Sequence, residues 1–235
     1  MAASKPWTFE QNFIDVHVPS IVIHKIAISK LSEAHLQAYL PPSSSGQLRV
    51  GLAQGYTSKG HLSVLAIVVE SNAILLTMSG AKKNGALSEG AQLLQDWILQ
   101  NSEVGVVAFD LTRLALSLFD DYNLHITEGV DLLTAVPIKA DAAAVHAIEF
   151  AIGDQAEIWR GNVEHAFESL LYSDEKRDGM HLVSRAWCAY YLSGLGTMED
   201  ILYHCKKIDT TRLPNEVSVT TRVPVMEASN MYTRS

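Results

Sequence analysis

Between Leu48 and Met78 the chain reads LRVGLAQGYTSKGHLSVLAIVVESNAILLTM. Leu48–Tyr56, Leu62–Glu70 and Ala73–Met78 are runs of apolar and β-branched residues of strand length. They are separated only by TSKG and by the polar pair Ser71–Asn72, so the reading is three antiparallel strands joined by tight turns. The same polar interruption, Glu70-Ser71-Asn72, breaks the strongest apolar stretch of the sequence into pieces too short for a membrane span, which needs about 20 apolar residues.

Downstream, Leu87, Ala91, Leu94 and Ile98 recur at helical spacing, with Ser88 and Glu89 at the positive end of the helix dipole. Val104–Phe109 (VGVVAF) is wholly apolar, as a strand buried on both faces and paired in parallel should be. Asp110 ends it, and apolar residues at 111, 114, 115, 118 and 119 predict a helix over Leu111–Asp121. Ile126–Leu133 reads as another strand with an acidic end. The last third is helical, with one apolar face from Ile158 to Leu171, another from Leu182 to Tyr190, and a further helix capped by Thr197. Upstream, Ile14–Val18 and Ile21–Ile28 predict a strand pair, and Ser32 caps a short helix to Leu40. PPSSSG, Pro41 to Gly46, is a loop, and EVSVTTRVPV past Leu213 is a candidate edge strand followed by a tail. The implied layout is an N-terminal extension (1–46) packed on a main domain (47–212), then a C-terminal strand and tail (213–235).

The 235 residues are long enough to bury a core unaided, and 48% hydrophobic against 19% charged excludes global disorder. A net charge of −8 argues against a chain whose main task is to grip phosphate backbones, which rests on clustered Lys and Arg. Cys188 and Cys205 are too few for a disulfide framework. No secretory signal is visible, and the expectation is a soluble intracellular protein without membrane contact. Nine scattered histidines show no HxxxH spacing, and neither GxGxxG, a GKS/GKT loop nor GxSxG is present. Three antiparallel strands followed by parallel strands with crossover helices make a mixed-sheet α/β design of ribonuclease H-like order.

The segments carry a resemblance. Leu48–Met78 resembles the opening hairpins of 3′–5′ exonucleases of the Werner and ribonuclease D type, the four-carboxylate group within the ribonuclease H-like fold. DWILQNS, followed by VGVVAFDLTRLAL and YNLHITEGVDLL, resembles them more closely, and the likeness spans Leu48 to Leu202. It implies four carboxylates holding two divalent metals, Mg or Mn, that activate water and stabilise the leaving oxygen. Carried over residue by residue, the first acidic pair falls on Ala53 and Gly55, the third acid on Asp110, and the fourth on Tyr191. Three of four ligands are then neutral, and Asp110 is the remnant. The resemblance so read implies no enzyme and no cofactor: a catalytically inactive exonuclease-like domain serving as a protein-binding or RNA-adaptor scaffold through dimerisation.

Two alternatives stand beside it. One is an active metal-dependent exonuclease with a rearranged carboxylate set, Asp110, Asp131 and an acid from Glu149–Glu164. The other is a structural subunit of a larger assembly. Each candidate also has a plain reading: Asp110 as a helix N-cap, and Asp120-Asp121 and Glu128–Asp131 as solvated surface acids. Trp159, Trp187, Tyr190 and Tyr191 suit core or a subunit interface. Lys82-Lys83 and Lys206-Lys207 suit either a weak RNA contact or soluble loops. Interaction candidates are Tyr190, Tyr191, Lys82 and Lys83, with a protein partner, a homodimer included, favoured over RNA.

Overall fold

A computed structural model describes residues 6–39, 48–83, 85–136 and 144–213. In chain order the first elements are β1 (Trp7–Phe9), β2 (Ile21–Ala27), α1 (Glu33–Tyr39), β3 (Leu48–Tyr56), β4 (Leu62–Val69) and β5 (Asn72–Thr77). A short hairpin, β6 (Lys82–Lys83) and β7 (Ala86–Leu87), precedes α2 (Glu89–Leu94), which runs on into a π-helical turn over Gln95–Leu99. Then come β8 (Val104–Ala108), α3 (Leu111–Tyr122), β9 (Val130–Asp131) and the single turn α4 (Leu132–Ala135). Four helices finish the described chain: α5 (Ala144–Ile152), α6 (Arg160–Phe167), α7 (Glu175–Ser193) and α8 (Gly196–His204).

Seven strands form one open mixed sheet in the order β1-β2-β5-β4-β3-β8-β9. β3, β4 and β5 pair antiparallel as the sequence predicts, while β8 joins β3, and β9 joins β8, in parallel. This is the ribonuclease H-like mixed sheet flanked by helices. Side chains alternate along each strand, and both faces are apolar, so both are covered. Val64, Ala66 and Val68 of β4 point into a core closed by α5 to α8. Leu65, Ile67 and Val69 point into a second core closed by α1, α2 and α3.

Three expectations are corrected. Ile14–Val18 is not the partner of β2: only Ile14 forms a bridge, to Ile158, and β2 pairs instead with β1 on one side and, in parallel, with β5 on the other. The strand expected over Ile126–Leu133 is reduced to Val130–Asp131, because the preceding segment bonds to the chain at Ile208 and Thr210. Thr197 lies inside α8, whose N-cap is Leu195, and its hydroxyl donates to the carbonyl of Ala151 at 2.7 Å. Ser88 and Ser32 do sit at helix starts, with Ser88 Oγ accepting from Ala91 N–H. PPSSSG, Leu40 and the strand expected past Leu213 fall outside the described residues.

α7 positions everything that follows. It crosses β3 so closely that a methyl group at Gly51 would overlap the Ala186 carbonyl and stand 2.8 Å from the Tyr190 nitrogen. Gly51, Ala53 and Gly55 all face it, and small residues at alternate positions of β3 are what permit the approach.

Candidate active site

A cleft of about 940 Å³ opens at the carboxyl ends of β3 and β8, where open α/β sheets characteristically bind their ligands. Ala53 and Gln54 from β3, Asp110 after β8, Glu164 and Glu168 around the end of α6, and Arg185 from α7 line it.

Asp110 has left-handed backbone, φ 56° and ψ 42°, a conformation in which Asp and Asn are over-represented. It stands at the N-cap position of α3, but its side chain makes no capping bond. The capping is done from across the sheet by Asp131, only 3% exposed. One Asp131 oxygen accepts from the N–H groups of Asp110 and Leu133, and the other from the N–H and hydroxyl of Thr112, all at 3.1 Å. The Asp110 carboxyl, with a loose backbone hydrogen bond at Arg113, lies at the cleft wall. Burial pushes it up to about 6, the Asp131 charge adds to the shift, and Arg113 opposes it. An acid that titrates near neutrality is suited to proton transfer.

The plain readings of the other acids therefore fail at two places. Asp131 is a buried structural acid, and Asp121 is tied by one oxygen to His61 Nδ1 and by the other to Leu62 N–H, both at 2.9 Å. Of the rearranged set expected from sequence, Asp131 faces inward to its four donors and Glu149 pairs with Arg160, whereas Glu164 does line the cleft. Ala53 reaches the cleft wall, and Gly55 lies beside it against Leu182 and Tyr172. Tyr191 is outside the cleft lining: it stacks on Trp187 at 5.1 Å, and Tyr190 lies with its backbone over Gly51. Trp187 is buried and Trp159 exposed. Lys82 is exposed on the β6–β7 hairpin; the side chain of Lys83 lies outside the described set.

At the position where α7 faces Ala53 and Gln54, the cleft meets Arg185, which is 5% exposed. Its Nη2 donates to the Gln54 carbonyl at 3.2 Å, and Gln54 in turn reaches the Asp110 carbonyl through Nε2 at 3.4 Å. The guanidinium lies 5.9 Å from the centre of the Phe167 ring. Burial draws its pKa down to about 10. Sequence reading missed Arg185, Gln54 and Glu168. The first carried a signal: an arginine set among Leu182, Val183, Ala186 and Trp187 sits on the apolar face of a helix, where a charge is retained only for a reason.

No family model matches the chain, and no curated protein matches it by sequence. Solved exonuclease domains do match it in structure. The EXD2 exonuclease domain in crystals soaked with Mn and dGMP is similar at 13% identity and a TM-score of 0.36, over 85% of this chain and all of that one. The same domain soaked with Mn and GMP gives 14% and 0.34, over 76% and 93%. Soaked with Mn alone it gives 13% and 0.35, over 81% and 98%. The expectation of a chain that is not an enzyme is corrected on this finding, because the similar solved domains are exonucleases.

The metal that the resemblance implies does not fit the acids as they stand. Among the described residues no three His, Cys, Asp or Glu side chains come together in a way that could hold a metal ion. Glu168 pairs with His165 at 3.3 Å, and Asp131 is held inward by its donors. No helix among the described residues is long and apolar enough to cross a membrane.

Proposed function

We propose that the chain is an exonuclease-type phosphodiesterase that removes nucleotides from the 3′ end of a nucleic acid, with a rearranged acid set led by Asp110. The observation that carries the reading is the Asp110 carboxyl itself. It is held on a left-handed turn at the carboxyl end of β8, raised to about 6, and aimed into a cleft that it shares with Glu164 and Glu168. The resemblance of the block from Ala86 to Leu133 to 3′–5′ exonucleases supports the substrate class.

The chemistry is derived from the chain's own groups. Above about pH 6 Asp110 is ionised and can take a proton from a water molecule. The water oxygen forms the new bond to phosphorus, the bond to the 3′ oxygen of the preceding nucleotide breaks, and solvent returns a proton to that oxygen. The left-handed turn fixed by Asp131 keeps the base oriented through the step.

End-labelled single-stranded RNA and DNA, incubated at pH 7.5 in Mg, in Mn and in EDTA, test the reading. Progressive shortening from the 3′ end is expected. It should fall by roughly 10²-fold or more in Asp110→Asn, the usual contribution of a positioned acid or base. Cooperative thermal unfolding of the variant at or above the parent's temperature would show that the fold is intact. The absence of shortening in all three conditions would overturn the proposal.

A further inference from the structure

Behind the cleft, and sharing Arg185, His165 and Glu168 with it, is a second, smaller cavity of about 240 Å³. Its wall adds Arg177, His181 and Ser173. The His165 and His181 rings meet edge to face at 4.9 Å. Two arginines and two histidines converge here in a chain whose net charge is −8.

The charges do not cancel internally. Asp178 is the acid nearest to hand, yet one of its oxygens accepts from Arg177 Nε at 3.1 Å, and the other from the N–H groups of Ser173 and Asp174 at 2.7 Å and from the Ser173 hydroxyl. Glu168 is mostly exposed and bonds to His165. Arg185 forms no ion pair among the described residues. Its only hydrogen bond there is to the Gln54 carbonyl, and its buried Nε has no partner among the described residues. A buried charge with no ion pair among the described residues, supported only at a distance by Asp178 and with a donor left unsatisfied, is a costly arrangement that folding alone does not favour. A dianion of tetrahedral oxygens in the cavity would supply the missing opposite charge, and guanidinium groups suit such oxygens through paired donors.

We propose that Arg185 is the anchor of an anion site, walled by His181, His165 and Arg177, that takes one phosphate group of a nucleotide or nucleic-acid end without a metal ion. The site adjoins the cleft of the proposed exonuclease and so deepens that reading, but binding there requires no bond to be cleaved. The fixed guanidinium provides positive charge at Ala53 and Gln54, in the wall where the acids do not gather around a cation.

Binding of inorganic phosphate, of a nucleoside 5′-monophosphate and of the matching nucleoside to the full chain in EDTA, followed by calorimetry and by thermal unfolding, tests it. Both phosphate-bearing probes should bind and raise the unfolding temperature, and the nucleoside should not. Arg185→Met should weaken phosphate binding by roughly tenfold to a hundredfold, the size of a charge-assisted hydrogen bond, with Arg185→Lys intermediate. A merely structural arginine predicts a different result: Arg185→Met would unfold at a lower temperature in the absence of any anion. An anion anchor predicts an unliganded Arg185→Met at least as stable as the parent, its phosphate-induced shift gone. Equal binding of nucleoside and monophosphate, or a phosphate shift that survives in Arg185→Met, would overturn the site. Strand shortening fails or succeeds independently: phosphate binding without shortening removes the exonuclease reading alone, and shortening without phosphate binding removes this one alone.

Discussion

Replacing Asp131 by Ala removes the acceptor for four donors at a position that is 3% exposed. The Thr112 hydroxyl can rotate to another acceptor. The N–H groups of Asp110, Thr112 and Leu133 are fixed by the backbone and are left unpaired in the interior. At about 1–1.5 kcal/mol for each stranded group, the loss is roughly 3–5 kcal/mol. For a domain of this size that corresponds to an unfolding temperature lower by roughly 6–10 °C. Asp131→Asn keeps the shape and one acceptor oxygen but turns an amide donor toward donors, so about half that loss is expected. Urea unfolding followed by circular dichroism measures both. The Asn variant carries a second readout, because the Asp131 charge is one cause of the raised Asp110 pKa. Removing that charge should move the Asp110 titration, read by carboxyl NMR or by the acid limb of the rate profile, to lower pH. A loss under about 1 kcal/mol in Asp131→Ala, together with an unmoved Asp110 titration, would refute the assignment of Asp131 as the buried cap of α3.

Two further outcomes follow from the same geometry. Asp110 has a folded pKa of about 6 against an ordinary value of 3.8, so the folded state holds its proton more tightly than the unfolded chain does. Its ionisation then destabilises the fold progressively as pH rises from about 4 to about 6, and Asp110→Asn should be more stable than the parent at pH 7.5 but not at pH 3.5, as denaturant midpoints at the two pH values will read. Gly51→Ala should lower the unfolding temperature by several degrees and Gly51→Val by more, because any Cβ there meets the backbone of α7 at Ala186 and Tyr190; a neutral Gly51→Val would show that the helix can retreat from β3 at no cost.

What was legible in the sequence was legible through local pattern. β3, β4 and β5 announce themselves because their apolar runs are separated by two- to five-residue polar turns, and β8 because nothing polar interrupts VGVVA. The parallel addition of β2 to β5 left no such trace, since nothing in IVIHKIA says which distant strand it will meet. Helix α5 went unread because AVHAIEFAI is apolar nearly all round, which blurs a 3.6-residue period. The site suffered most. Asp131 and Asp121 look in sequence like any acid at an element's end, and only the fold reveals that their carboxylates face backbone N–H groups. The fourth acidic position of the resemblance, carried onto Tyr191, lies beyond the turn of α7 that faces the cleft; the helix register is fixed by Gly51 and Gly55 against residues 182, 186 and 190, a contact between segments far apart in the chain.

The sheet that supports the cleft is bounded by very short edges: β1 has three residues and β9 has two. β9 is moreover flanked by the bridge from Gly129 to Ile208, which occupies the backbone groups just before it. A foreign strand approaching either side would find a foothold of only a few residues before the backbone turns away. Short edges of this kind are how native sheets resist pairing with other chains. The long hydrophobic strands β3, β4 and β5, which alone would be aggregation-prone, are thereby confined to the interior of the sheet, with β2 beyond β5 and β8 beyond β3.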